Sequence, residues 1–245
     1  MKYLKLFNDH AEYEVAKNGL ILPNVSNCVN TQNEVHYNPY DPYAGHEYVE
    51  IGGLKWATMN IGASQPSDYG LYFQWGDTQG YTAEQVGSGE GQKYFGWEDY
   101  KYGNGTSSPG ATGMTKYNST DGLTTLEAVD DAAVANWGGS WRMPTTDEFQ
   151  ALGAAVNTAW TQVNNVYGML CTDKEDSSKT LFFPAAGSCL NGSVRFVGND
   201  GGYWSSSLDT DGGQDAYDLD FFSSYADWGS SGSRCCGFAV RPVVG

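Results

Sequence analysis

Apolar and polar residues alternate with a period of two in residues 216–222. Such alternation is typical of a β-strand with one buried and one exposed face. The face that we expect to point inward consists of Tyr217, Leu219 and Phe221. The face that we expect to point outward consists of Asp218, Asp220 and Phe222. Residues 238–241 alternate in the same way and predict a second strand.

The segment 223–236 lies between these strands and is predicted to be a long loop. It consists mainly of Ser, Gly, Asp and Tyr, with Trp228 at its centre. Loops of this length are uncommon in a compact domain unless they have a function, which is usually binding. Trp228 either anchors a ligand or fixes the loop to the domain. The loop is the strongest indication of function in the sequence.

Several shorter patterns upstream predict further strands. Residues 48–57 form two apolar runs joined by Gly52-Gly53, which predicts a hairpin. Residues 181–187 predict a buried strand, and Asn191-Gly192 predicts a turn before 194–196. Residues 78–123 show no periodicity and predict an irregular insertion.

Two capping boxes predict two helices in the middle of the chain. The first helix is predicted from Thr124 to Gly138, with an apolar face of Leu126, Val129, Ala133 and Trp137. The second is predicted to begin at Thr145 and to continue through Trp160. Two helices followed by several β segments predict an α+β fold with a small antiparallel sheet and long irregular loops. The large side chains expected in its core are Trp56, Trp75, Trp141, Phe149, Phe183 and Trp204.

Residues 1–46 differ in character from the rest, because Pro and Asn are frequent and apolar periodicity is weak. Asn8 and Gly19 are placed to begin and end a short helix over residues 9–17. We interpret residues 1–46 as an attachment or assembly segment, and residues 47–245 as the main domain.

Composition narrows the classes of function. The 245-residue chain carries a formal net charge of −16, which argues against nucleic acid or an anionic membrane as partner. Its apolar runs are too short to cross a membrane, and its first residues turn polar too soon for a signal peptide. Five irregularly spaced cysteines form neither a disulfide framework nor a zinc motif.

Five stretches in one order together resemble a known family. They are 56–61 (WATMNI), 141–149 (WRMPTTDEF), 183–187 (FPAAG), 203–207 (YWSSS) and 237–243 (GFAVRPV). They resemble the Fibrobacter-type major paralogous domain, whose relatives include formylglycine-generating enzymes and the variable proteins of diversity-generating retroelements. The resemblance covers residues 47–245 and implies a C-type-lectin-like fold. The N-terminal stretches 2–7 and 34–39 resemble adhesin-like proteins of phages that infect gut bacteria.

In retroelement variable proteins, adenines of a template are randomised, chiefly in Asn-type codons that cannot become Lys, Glu, Gln, Met or Trp. From Thr180 onward the chain contains no Lys, Glu or Met but keeps seven Asp. This composition agrees with a variable region at about residues 203–241. The same composition also arises in ordinary polar loops.

The resemblance and the strand pattern together predict a ligand surface that spans residues 206–236. The expected ligand-binding residues are Ser206, Leu208, Asp209, Asp218, Asp220, Phe222, Ser224, Tyr225, Asp227, Ser231, Ser233 and Cys235. We expect a cell-surface protein or glycan as ligand, and a homotrimer or a larger virion assembly joined through residues 1–46. The expected location is a phage virion or a bacterial cell surface.

Other kinds of site are less well supported by the residues. The acidic turn 209–215 departs from the EF-hand pattern at its fifth, sixth and twelfth positions, and the Glu-Pro-Asn and Trp-Asn-Asp tripeptides of calcium-dependent lectins are absent. Cys235 and Cys236 do not match the cysteine pattern of the formylglycine-generating relatives, and the histidines all lie before residue 47. We therefore expect a binding adhesin with no catalytic residue, metal or cofactor. A formylglycine-generating-type oxidase and a structural surface domain are the alternatives.

Overall fold

A computed structural model describes residues 41–245 and, before them, the backbone of four short strands at 3–6, 12–14, 28–31 and 34–37. The chain divides into two units, Met1–Glu47 and Tyr48–Gly245. The strands of the first unit are β1 (Tyr3–Leu6), β2 (Glu12–Glu14), β3 (Cys28–Thr31) and β4 (Glu34–Tyr37). They form one sheet in the order β2-β1-β4-β3. The helix predicted over 9–17 is wrong at Glu12–Glu14, which form strand β2. The rest of the predicted helix lies outside the described residues.

The second unit begins with a tight hairpin of β5 (Tyr48–Ile51) and β6 (Leu54–Ala57). Gly52 and Gly53 have φ angles of 63° and 79°, as a two-residue turn of type I′ requires. This confirms the predicted hairpin. The far end of the unit returns to it, because Val243 pairs with Trp56 in a third strand.

Residues 78–123 are irregular, as predicted, with only short 3₁₀ turns at Ala83–Gln85, Trp97–Asp99 and Ala111–Gly113. Asp130 helps to hold this region in place. Its carboxylate accepts hydrogen bonds from Lys101 at 2.9 Å, Lys116 at 2.5 Å and Tyr117 at 2.7 Å, and a further one from Tyr102. One buried carboxylate thus fixes two segments of the insertion, 101–102 and 116–117.

The first helix, α1 (Ala132–Trp137), is shorter than predicted. The predicted start at Thr124 is wrong, because Leu126 N–H donates to the Ser206 carbonyl at 2.9 Å and the chain there is extended. Asp131 caps the helix instead by accepting hydrogen bonds from two backbone N–H groups. Val129, predicted on the apolar face, is 74% exposed. The predicted end at Gly138 is confirmed by its φ of 66°.

The second helix, α2 (Thr146–Ala155), has the predicted capping box between Thr145 and Glu148. Its predicted continuation to Trp160 is wrong. The next residues form β7 (Val156–Val163), which pairs with β8 (Val166–Asp173) through a two-residue turn at Asn164-Asn165. Both asparagines have positive φ, which Asn tolerates better than most residues. The strand β9 (Thr180–Pro184) completes this sheet and confirms the buried strand predicted there.

Two further sheets lie in the C-terminal part. The strands β10 (Ser188–Leu190) and β11 (Ser193–Arg195) form the hairpin predicted at Asn191-Gly192. The strands of the last sheet are β12 (Asp200–Leu208), β13 (Asp215–Phe222) and β14 (Tyr225–Ser233), in that order. β15 (Val243–Val244) is the strand that pairs with β6. The strand predicted at 238–241 is present only as single bridges to Phe73 and Tyr203.

The prediction of a long loop at 223–236 is wrong. Phe222 pairs directly with Tyr225, so Ser223-Ser224 form a two-residue turn and most of the segment is strand β14. Gly and Ser have low intrinsic β propensity, which concealed the strand. Pairing with β13 and packing against α2 stabilise it instead. A Cβ atom at Gly153 of α2 would lie only 2.6 Å from the Trp228 ring. Trp228 therefore fixes the segment to the domain.

The core contains the large side chains expected there, since Trp56, Trp75, Trp141, Phe149, Phe183 and Trp204 are all buried. The buried Arg241, within the last motif stretch, connects to the first and third stretches. Its guanidinium donates to Asn60 Oδ1 at 2.9 Å, to the Ala57 carbonyl at 3.2 Å and to the Phe182 carbonyl at 2.9 Å. Small antiparallel sheets with few helices thus make up the unit, which is compatible with an α+β fold. Within the described residues, no helix has the length and apolar character needed to cross a membrane.

Candidate functional site

A β-bulge in the C-terminal sheet determines which side chains share a face. Asp218 pairs with Ser230, whereas Asp220 pairs with Asp227. One residue of β13 therefore lies opposite two residues of β14, which are Trp228 and Gly229. A bulge of this kind bends the strand and redirects its side chains. Here it allows Trp228 to pack on α2 while Asp227 and Ser230 remain on the other face.

The inner face of the sheet belongs to the core. Leu219 and Phe221 are fully buried, as predicted, and Phe221 stacks on Tyr203 with ring centroids 5.9 Å apart. Tyr217 does not continue this face into the core. It is half-buried, and the charge of Asp209 contributes most to raising its pKa. Tyr217 is therefore less buried than Leu219 and Phe221.

The opposite face carries four carboxylates and two exposed aromatic rings. Directly paired residues on neighbouring strands point to the same side of a sheet. The pairs are Asp200 with Phe222, Phe222 with Tyr225, and Asp220 with Asp227. We call this set the acidic face; its residues are Asp200, Asp218, Asp220, Phe222, Tyr225 and Asp227. Phe238 covers the other end of this side, where its ring lies 4.3 Å from that of Trp204.

The structure contradicts the predicted exposure of four site residues. Ser206 is buried and its hydroxyl donates to the Pro144 carbonyl at 3.3 Å. Leu208 is buried opposite Ala216, and Cys235 packs against Tyr100 and Met114. Asp218 is only 3% exposed. Pro144 contacts Ser206, and Phe238 lies against Gly202 and Gly232 on the side of the sheet that carries Asp218. The strand pattern alone does not reveal such contacts from outside the sheet.

The remaining predicted residues fall into two groups. Phe222, Ser224 and Tyr225 are exposed near the β13–β14 turn, with half-buried Asp220 and Asp227 beside them. Asp209, Ser231 and Ser233 lie towards the other end of the strands, where Ser231 pairs with Tyr217 and Ser233 donates a hydrogen bond to Asp215 at 3.0 Å. The structure therefore brings together only the first group.

The carboxylates of the acidic face interact unfavourably with one another. Burial, followed by the charges of Asp220 and Asp227, raises the pKa of Asp218 well above its ordinary value. Burial and the charges of Asp200 and Asp227 likewise raise the pKa of Asp220. No described Lys, Arg or His forms an ion pair with any of these carboxylates. The face therefore holds uncompensated negative charge.

An aromatic pocket adjoins the acidic face and was missed by the sequence analysis. The rings of Phe222 and Tyr225, 43% and 53% exposed, lie 5.5 Å apart. They border a pocket of about 370 Å³ with Trp160 and Trp228. Trp160 also stacks on Tyr167, with centroids 5.9 Å apart. The helix prediction misplaced Trp160. The signal that pointed to a strand was the alternation of Val156, Thr158, Trp160 and the turn residues Asn164-Asn165.

A second pocket, of about 400 Å³, is lined by Tyr94, Trp97, Cys235 and Cys236. The buried Cys235 thiol donates a hydrogen bond to Cys236, which lowers the pKa of Cys236 and raises that of Cys235. The charge of Arg195 also lowers the pKa of Cys236. This arrangement favours a thiolate at Cys236.

The turn at 209–215 does not resemble a metal centre. The Asp209 carboxylate accepts a hydrogen bond from the Asp211 N–H at 3.0 Å, which closes the turn. Among the residues that the structure describes, no group of three or more His, Cys, Asp or Glu side chains has a geometry suited to a metal ion.

Comparisons of the chain with protein-family models, with curated proteins and with solved structures gave no match.

Proposed function

We propose that the chain is a binding module whose ligand contacts the acidic face and the aromatic pocket beside it. The observation that carries the proposal is the exposed pair Phe222 and Tyr225 beside Asp220 and Asp227, two carboxylates that form no ion pair with a described cation. Exposed aromatic residues supply contact area at small entropy cost, and nearby polar groups supply specificity. Both lie on a sheet whose inner face is packed in the core, so the site is rigid.

The wider interpretation is an adhesin of the retroelement-variable type on a C-type-lectin-like scaffold. It is supported by the separation of core residues and exposed residues within 203–241. Tyr203, Leu219 and Phe221 pack inward, whereas Phe222 and Tyr225 on the other face are free to change without loss of core packing. A phage virion or bacterial cell surface as location, a cell-surface protein or glycan as ligand, and homotrimer formation or virion attachment through residues 1–46 belong to the same proposal.

Binding arrays test the proposal. The chain is applied to arrays of purified surface proteins and glycans, beside a Phe222→Ala/Tyr225→Ala variant and a Val129→Ala control that is also exposed. We expect the double variant to stop binding the array ligands and the control to keep binding them. The unfolding free energy of both variants is expected to differ from that of the native chain by less than about 1 kcal/mol. Ligands that bind the double variant as well as the native chain would contradict the proposal.

The thiol of Cys236, whose pKa is lowered by the hydrogen bond from Cys235, lines a pocket and favours one alternative, a formylglycine-generating-type oxidase. Incubation with a Cys-Thr-Pro-Ser-Arg peptide, copper and oxygen tests it, with mass spectrometry of the peptide as readout. Conversion of the peptide cysteine to formylglycine that is abolished by Cys236→Ser would establish the oxidase. An unchanged peptide would reject it.

A further inference from the structure

The acidic face contains a cross-strand pair that ordinarily destabilises a sheet. Asp220 lies directly opposite Asp227, and like charges in such positions repel each other. Asp200 lies on the neighbouring strand and adds to the repulsion at Asp220. The charge of Arg195 in β11 acts on Cys236 and does not contribute to the pKa shifts of Asp200, Asp218 or Asp220. Natural sequences depart from local rules mainly where function requires it.

Asp218 provides a second and independent observation. Its side chain is 3% exposed, and its Oδ1 atom has no hydrogen-bond partner in the described part of the chain. The Ser230 hydroxyl hydrogen-bonds to its carboxyl group. An unsatisfied buried acceptor destabilises a fold. Asp218 lies between Trp204 and Asp220 on the same side of the sheet, so it places an unpaired acceptor beside the half-buried Asp220.

The aromatic rings lie one step further along the same face. Phe222 follows Asp220 by two residues, and Tyr225 precedes Asp227 by two. Two residues along a strand span about 7 Å. The Tyr225 hydroxyl donates to Asp227 Oδ2 at 3.2 Å and so connects the aromatic pair to the carboxylate pair. A planar cation placed over the rings therefore reaches the carboxylates as well.

We propose that the partner at this face is a protein that inserts an arginine side chain between the Asp220–Asp227 pair and the Phe222–Tyr225 rings. This inference rests on the proposed function and specifies its ligand. A guanidinium donates to carboxylates in a bidentate manner and stacks on aromatic rings, whereas an ammonium does neither as well. The net charge of −16 draws a basic partner towards the chain and disfavours an acidic glycan.

A peptide titration tests the inference. The probe is acetyl-Gly-Arg-Gly-amide, and the matched neutral probe replaces arginine by citrulline, which has nearly the same shape. Binding to the full chain is followed by NMR chemical-shift changes at millimolar peptide. We expect shifts at the amides of residues 218–229 with the arginine peptide, and at least tenfold weaker binding of the citrulline peptide. Equal affinity for both peptides, or shifts confined to other residues, would overturn the inference.

Variants of the face add a second readout. Asp220→Asn is expected to weaken the arginine peptide at least fivefold and also to raise the melting temperature, because it removes a repulsion. Asp211→Asn changes the net charge by the same amount but lies on an exposed turn. It is expected to alter the affinity for the arginine peptide less than twofold. An Asp220→Asn protein that binds the peptide normally would overturn the inference, whatever its melting temperature.

The two proposals fail in different ways. Array ligands that require Phe222 and Tyr225 but are not displaced by the arginine peptide would reject the arginine partner and leave the binding face standing. Both proposals would be rejected if the array ligands bind the Phe222→Ala/Tyr225→Ala variant as well as the native chain and the arginine peptide does not bind. Displacement of a face-dependent protein ligand by the arginine peptide, and not by the citrulline peptide, supports both.

Discussion

Arg241 is a fully buried cation that satisfies three acceptors from distant parts of the chain. Its partners are Asn60, Ala57 and Phe182, and its guanidinium lies 4.7 Å from the centroid of the Phe183 ring. Burial lowers its pKa to about 10, which still leaves it charged at neutral pH. Arg142 also has its hydrogen bonds satisfied within the chain, since it binds Glu148 in a bidentate manner.

Replacing Arg241 by Met tests this role. The variant keeps the apolar stem but leaves two backbone carbonyls and Asn60 without their donor. We expect it to lose about 3–5 kcal/mol of unfolding free energy, measured by urea denaturation. The control is Arg195→Met at an exposed position, with an expected change below about 0.5 kcal/mol. Equal effects of the two changes would show that the buried hydrogen bonds contribute nothing.

At the scale of elements, the sequence predicted correctly those turns and helix ends that depend on residues close together in the chain. Gly52-Gly53, Asn191-Gly192 and the Thr145 capping box specify turns and a helix start through backbone conformation or hydrogen bonding within a few residues. The elements that were missed depend on distant partners. Residues 156–160 leave the helix because β8 pairs with them, and 225–233 form a strand because β13 and α2 hold them.

The candidate site shows the same limit. Alternation correctly placed Leu219 and Phe221 inward and Phe222 outward, because a strand has a fixed period. It could not reveal that Asp218, on the outward face, is buried, since the covering layer comes from elsewhere in the chain. It also could not bring Trp160 next to Phe222, which requires the packing of two separate sheets.

The contact of α2 with β14 gives a prediction with an unusual sign. Gly→Ala in a helix interior normally stabilises by about 1 kcal/mol. At Gly153 the new Cβ atom would lie 2.6 Å from the Trp228 ring, so we expect Gly153→Ala to destabilise by about 1–3 kcal/mol. Gly212→Ala, where a Cβ atom meets nothing within 4 Å, serves as the control and is expected to be neutral. Stabilisation by Gly153→Ala, measured by thermal unfolding, would contradict the packing of Trp228 on the helix.

At the scale of the whole molecule, two buried carboxylates are expected to give the stability opposite dependences on pH. Burial alone would raise the pKa of Asp130, but hydrogen bonds from Lys116, Tyr102, Lys101 and Tyr117 outweigh it and hold that pKa well below its ordinary value. The stability that Asp130 contributes is therefore present above its ordinary pKa of 3.8 and is lost as the pH falls below it. Asp218, whose pKa is raised, destabilises the fold as the pH increases from 3.8 towards its folded pKa.

Asparagine variants separate the two effects. We expect Asp130→Asn to lose about 3–5 kcal/mol at neutral pH and much less near pH 2. We expect Asp218→Asn to be more stable than the native chain at neutral pH, with an advantage that disappears below pH 4. Urea unfolding across this range measures both. The same pH profile in the two variants would contradict the opposite pKa shifts.

Separation of the two units is a further whole-molecule prediction. Residues 48–245 expressed alone are expected to unfold cooperatively, with a melting temperature within a few degrees of that of the full chain, because their core is built within the unit. Circular dichroism and thermal unfolding of the shortened chain provide the measurement. An unfolded 48–245 fragment would show that the N-terminal residues belong to the core.

The pairing of β15 with β6 also has a consequence for biosynthesis. Val243 pairs with Trp56, and Arg241 binds Ala57 and Asn60, so the first hairpin of the unit receives its partners from residues that are synthesised much later. The core cannot be completed before residues 241–243 have left the ribosome. Until then, the nascent chain exposes aromatic side chains that are buried in the folded unit. Slow translation therefore prolongs this vulnerable state and gives the early hairpin no help in folding.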